Sequence, residues 1–248
     1  MLGESACLVA TIEIISNNVQ DEGQVSAASQ LTGTVTTPVS EPASPYARLC
    51  QAAVLTGKVL CHHRSDPLPE DEKYREASEL YVELSELARI LVHEASDSQD
   101  YLSLASPMAV TFSALAALCD PYACPSMRLE HTAEGATMQI QAIEGIRSVS
   151  ESIRNFAQEI SNLVLNNAHD PNHDPRIMER VSPLILDALY SGASNFAWDV
   201  RESGNQGSEE GLQIIRDCLR GFVGRWRVAG EYLRVLEAQE FTYAVGHA

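Results

Sequence analysis

Positive charge is scarce in this chain. Its 248 residues include 17 Lys or Arg against 34 Asp or Glu, a formal net charge of −17, and no base occurs before Arg48. A surface so negative repels phosphate backbones, so direct nucleic-acid binding is not expected. The same lack leaves residues 1–47 without the positive n-region of a secretory signal. Aromatic residues are only 6% of the chain; Val, Leu, Ile and Ala must carry the core, which favours helices over a β-sandwich.

Metal and catalytic signatures are missing as well. The six cysteines, at 7, 50, 61, 119, 124 and 218, form no C-x-x-C pair and no zinc-finger spacing. They are expected to be free, mostly buried thiols in a reducing compartment. No G-x-S-x-G, no Gly-rich phosphate loop and no H-E-x-x-H occurs, so the usual nucleophile, nucleotide and metalloprotease signals are lacking. No cofactor is expected. The one long uncharged run, Tyr101 to Cys119, contains Pro107 and several Ser and Thr, and no base flanks it closely. It reads as a core helix, and no membrane span is expected.

What is present is helical periodicity, strongest at the C-terminus. From Ser208 to Tyr243, Leu212, Ile215, Leu219, Phe222, Trp226, Ala229, Leu233 and Leu236 alternate by three and four. That spacing predicts one long helix with a narrow apolar seam, suited to the middle of a bundle or to a homodimer through 212–236. Ser208 is the expected N-cap, with Glu209 and Glu210 at the positive end of the dipole. Gly221 and Gly224 are the weak point, where the helix is expected to kink or to admit a neighbour.

The rest divides into short segments. Residues 1–20 carry Leu8, Ile12, Ile15 and Val19 on one helical face, and 21–45 read as a Ser/Thr/Pro/Gly linker. Ser-Pro pairs at 44–45, 106–107 and 182–183 predict three helix starts. Further helices are expected over 70–93, 107–119, 132–166 and 183–201. The faces expected inward are Tyr74, Ala77, Tyr81, Leu84, Ala88 and Leu91 in the first, and Ile140, Ile143, Ile146, Val149, Ile153, Phe156, Ile160 and Leu163 in the third. The acids from Glu70 to Glu86 read as a solvated face. Leu31 to Val39 is the one run with strand character. The fold class is therefore all-α, an irregular bundle of six to seven helices, with 46–248 as its domain.

Three constellations bear on chemistry. His169-Asp170-Pro171-Asn172-His173-Asp174 has metal-ligand residue types, but Pro171 forbids the helical register that would align them, and a polar loop is the better reading. Cys61-His62-His63 reads as a helix end whose imidazoles face the dipole. Arg225-Trp226-Arg227 suits recognition of an acidic partner, weighed against a seam Trp flanked by two solvated arginines.

Several stretches in order carry a resemblance. Ser44-Pro45-Tyr46-Ala47-Arg48-Leu49-Cys50-Gln51-Ala52-Ala53, Tyr101 to Pro107, Asp120-Pro121-Tyr122-Ala123-Cys124-Pro125, Ser182 to Ile185, Phe196-Ala197-Trp198 and Arg225 to Leu233 together resemble the C-terminal regulatory region of fungal zinc-cluster transcription factors. The family's DNA-reading C-x2-C-x6-C cluster has no matching positions here. The resemblance implies a nuclear regulatory domain without its DNA reader, a non-enzyme that contacts the transcription machinery or coactivators. The alternatives are a helical adaptor and an all-α enzyme built on the His169–Asp174 loop.

Overall fold

The computed structural model describes residues 43–64, 69–98, 100–123, 132–165 and 176–246, the last six by backbone alone. The expected helix at 1–20, the linker up to residue 42, the strand-like run at 31–39 and the His169–Asp174 loop lie outside them. Seven α-helices account for most of the described residues, and no strand occurs among them.

Helix α1, Pro45–Arg64, starts where the Ser-Pro pair places it. Ser44 Oγ accepts from the Ala47 N–H at 3.2 Å, and Pro45 fills a first-turn position whose N–H would have no partner. Helix α2, Glu70–Asp97, opens on Glu70, Asp71 and Glu72, which suits the dipole, and buries Tyr74, Ala77, Leu80, Leu84, Leu87, Leu91 and Ala95. The inward stripe is centred on the leucines, so the expected Tyr81 and Ala88 lie at its edge, packed against the core but only half-buried.

Helix α3, Tyr101–Ala123, corrects the second Ser-Pro start and the expected stop at Asp120-Pro121. Pro107 and Pro121 lie inside the helix. An interior proline costs about 3 kcal/mol, but Leu102, Leu104 and Ala105, which precede Pro107, are all buried. Each large aliphatic side chain buried is worth about 1.5–3 kcal/mol, so packing outweighs the missing bond. The helix is apolar enough to cross a membrane, with a mean hydropathy of 1.7 over its most apolar window, yet 72% of that window is buried inside the bundle.

Helix α4, Ala133–Ile160, is capped by Thr132, whose Oγ1 accepts from the Gly135 N–H at 3.0 Å. It widens into a π-helical turn at Ser161–Leu165. Its first half corrects the expected face: Ile140 and Ile143 are 60% and 41% exposed, and Met138, Ala142 and Gly145 point inward instead. Gly145 explains the choice. A Cβ there would stand 2.7 Å from the Tyr81 ring and 2.8 Å from Cys119 Sγ, so α4 turns its small residues toward the closest approach of α2 and α3. From Val149 to Ile160 the face is the expected one, whereas in the π-helical turn Val164 is buried and the expected Leu163 only half-buried.

A 3-10 turn, Ile177–Arg180, and the Ser182-Pro183 turn lead into α5, Ile185–Ser203. Gly204, at φ +63°, ends α5 in the left-handed conformation, its N–H on the Val200 carbonyl at 2.8 Å. The expected single C-terminal helix is two. Helix α6, Gln206–Phe222, and α7, Arg227–Gly246, are separated by a turn at 223–226. The cap of α6 is Asn205, accepting from the Gly207 N–H at 2.9 Å, while Ser208 is buried within the first turn and donates to Asp199.

Helix α3 is the hub, touching α1, α2, α4 and α5, and α4 carries the chain on to α6; α7 rests on α5 and α6. All eight seam positions from Leu212 to Leu236 are buried except Trp226, which is half-buried. No continuous apolar stripe along 212–236 is left for a second copy. Gly145→Ala should therefore lower stability by about 1–3 kcal/mol in urea melts, through overpacking against a ring and a buried thiol. Gly57→Ala, at a helix-interior site with nothing within 4 Å, should gain about 0.5–1 kcal/mol.

Candidate functional site

The turn between α6 and α7 holds the three residues singled out in the sequence. Helix α6 ends at Phe222, whose carbonyl accepts from both the Arg225 and Trp226 N–H groups at 3.0 and 2.9 Å. Gly204 is the one residue with positive φ among the described residues, so the turn forms without left-handed backbone, despite Gly224. The chain breaks at the Gly-x-x-Gly stretch because helix propensity is weakest there. At Gly221 a Cβ would collide with the Leu165 side chain, so a residue without a side chain admits that neighbour.

Trp226 stacks on Phe222, ring centroids 5.2 Å apart at 30°, and the Arg225 guanidinium lies 4.9 Å from the indole centroid. Arg225 is exposed, and such a surface cation–π contact is worth about 0.5–1 kcal/mol and leaves its charge in place. Arg227 begins α7 with its side chain 92% exposed, 3.5 Å from Glu231; Arg234, one turn further, reaches the same carboxylate at 3.1 Å. A depression of about 610 Å³ is lined by these arginines together with Val223, Gly224 and Gly230. Arg234 joins the site on the tertiary structure, although the spacing 227, 231, 234 on one helix already places the three together. Three guanidinium groups and the single carboxylate of Glu231 line the depression, which leaves it a local excess of positive charge.

Two polar nodes inside the bundle were not anticipated. Arg48, 1% exposed, makes a fork to Glu94, with Nε donating to Oε2 at 3.0 Å, and a further N–H donates to Gln51 Oε1 at 2.9 Å. His62 lies with Nδ1 2.7 Å from Glu76 Oε2 and Nε2 2.6 Å from the Tyr122 hydroxyl. This corrects the expectation of a dipole-facing imidazole at the helix end. A carboxylate only accepts, so Nδ1–H donates to Glu76, and in that neutral tautomer Nε2 accepts from the Tyr122 O–H; burial pushes the Tyr122 phenol up to about 12. The order carboxylate, imidazole, hydroxyl matches a nucleophile relay. However, Tyr122 is 3% exposed and Tyr74 meets its ring edge-on at 6.2 Å, so no substrate reaches the hydroxyl. The node pins α1, α2 and α3 together. Its signal was legible: Leu55, Val59 and His62 share one face of α1, as do Arg48 and Gln51.

His169 and His173 lie outside the described residues, as does Cys124. Among the described residues no group of three or more His, Cys, Asp or Glu is placed to hold a metal ion. Cys119 and Cys218 are buried, with burial raising their thiols to about 12 and about 11. No family model, no curated protein and no solved structure matches the chain.

Two outcomes are expected. Trp226→Ala should cost roughly 1–3 kcal/mol, less than the ~3–5 of a fully buried aromatic, and Arg227→Ala should stay within ~0.5 kcal/mol in the same melts. Tyr122→Phe should be destabilising at neutral pH by about 1–3 kcal/mol, because it leaves the buried Nε2 without a donor. The raised phenol contributes stability below its ordinary value of 10.0 that is lost as pH climbs toward about 12. The gap between wild type and Tyr122→Phe should accordingly narrow across that interval in alkaline denaturation.

Proposed function

We propose that this chain is a transcription-regulatory domain of the fungal zinc-cluster type, acting in the nucleus through contacts with coactivators or other parts of the transcription machinery, and not as an enzyme. The observation that carries the reading is where the resembling stretches lie. Ser44 to Ala53 holds the cap of α1 and the buried Arg48; Asp120 to Tyr122 holds the phenol that His62 grips; Arg225 to Leu233 forms the α6–α7 turn. Stretches far apart in the chain are thus the ones that cap, pin and turn a single bundle.

Surface charge supports the same reading. The exposed acids on α2 and the −17 balance suit protein contacts and oppose a duplex. The Arg225-Trp226-Arg227 turn stands out on that surface as basic and aromatic, the composition enriched at interface hot spots. DNA reading is not assigned to these residues, since no cysteine here has the zinc-cluster spacing.

Residues 1–248 fused to an unrelated DNA-binding domain should change expression of a reporter carrying the matching sites. The acidic faces favour an increase. Unchanged output from a fusion shown to be folded and nuclear would favour the helical adaptor instead.

A further inference from the structure

The turn site carries an inference about what binds it. Three guanidinium groups border the depression and one carboxylate, Glu231, serves two of them. Exposed pairs of this kind contribute about 0–1 kcal/mol each, so Glu231 does not hold Arg227 or Arg234 against a competing anion. Arg225 has no carboxylate within ion-pair distance among the described residues, and its guanidinium lies 4.9 Å from the Trp226 ring centroid. A planar guanidinium receives a carboxylate in bidentate fashion, and its fork geometry lowers the entropy lost for each hydrogen bond formed. Beside the arginines, Val223 is 43% exposed, and Gly224 and Gly230 present no side chain. The depression therefore offers cationic rims and a small apolar floor.

Charge range decides the class of ligand. At physiological salt the Debye length is about 8 Å. A short segment in the depression senses mainly the local excess of arginine, whereas an extended polyanion such as DNA must also lie along the acidic surface. Resting on the reading that the chain works through protein contacts, we propose that the α6–α7 depression docks a short acidic peptide segment of a partner protein. Its carboxylates would meet Arg225, Arg227 and Arg234, with an aliphatic side chain over Val223 and the glycines.

The test uses the full chain and a short fluorescein-labelled peptide alternating Glu and Leu, followed by anisotropy. Binding is expected at low ionic strength and should weaken steeply with salt. It should fall at least about tenfold for the matched Gln/Leu peptide and for Arg225→Glu/Arg227→Glu, and stay unchanged for Arg89→Glu on α2. Circular dichroism melts establish that each variant is folded, and Arg225→Gln/Arg227→Gln, which keeps length and shape, should show the same loss. Equal binding of the Gln/Leu peptide, indifference to the arginine variants, or no binding of the acidic peptide would overturn the proposal. Duplex DNA retained through the same arginines would overturn it too. Reporter output separates the two readings: an active fusion whose domain ignores the peptide sinks only the docking site, and an inactive fusion that binds it sinks only the regulatory reading.

Discussion

Burial of α3 is the constraint on which the other helices depend. Between Tyr101 and Cys119 it carries no charge, and most of its side chains are shielded. A helix apolar on nearly all sides cannot be satisfied by one partner. It demands a surround, and α1, α2, α4 and α5 supply one. Each surrounding helix then needs only a single apolar stripe, which is why the other amphipathic segments can be read from their periods. The same demand carries α3 through two prolines that would end an isolated helix.

Packing of this kind is non-directional, and the polar nodes add direction. Arg48 reaches Glu94 from α1 to α2, and His62 reaches Glu76 on α2 and Tyr122 on α3. Removing Glu94 would strand the buried Arg48 guanidinium, and sliding α1 along its groove would strand both nodes together. Each node is satisfied at one register of α1 against its neighbours, which is a constraint that apolar packing does not impose. Gly145 does the same sterically, holding α4 at a distance only a residue without a side chain permits.

The α6–α7 turn is a consequence of the same packing. Apolar residues at Phe222, Ala229, Leu233 and Leu236 all find the core, but a straight helix cannot deliver them to it across the weak Gly221–Gly224 stretch. Breaking there puts Trp226 at the boundary, half-buried, and projects Arg225 and Arg227 outward on either side. A basic aromatic corner on an acidic bundle thus arises where the chain changes direction, and its arginines are free of the dense acids carried by α2.

The sequence by itself determined the all-α class, the start of α1, the Tyr74, Ala77, Leu84 and Leu91 part of the α2 stripe, the inward face of α4 from Val149 to Ile160, and the exposure of Arg225 and Arg227. These follow from periodicity, capping chemistry and charge, which act over a few residues and leave a local trace. Tertiary structure alone decided the rest. Ile140 and Ile143 continue the three-to-four period of the expected face, yet Met138, Ala142 and Gly145 point inward because closeness of approach, not apolarity alone, selects the buried face. The heptad seam continued across 223–226 in sequence because spacing records which residues are apolar, and not whether one helix axis can serve them all. His62 and Arg48 sat visibly on an apolar face; their partners at 76, 94 and 122 are distant in the chain, and only the packed bundle brings those groups within hydrogen-bond reach.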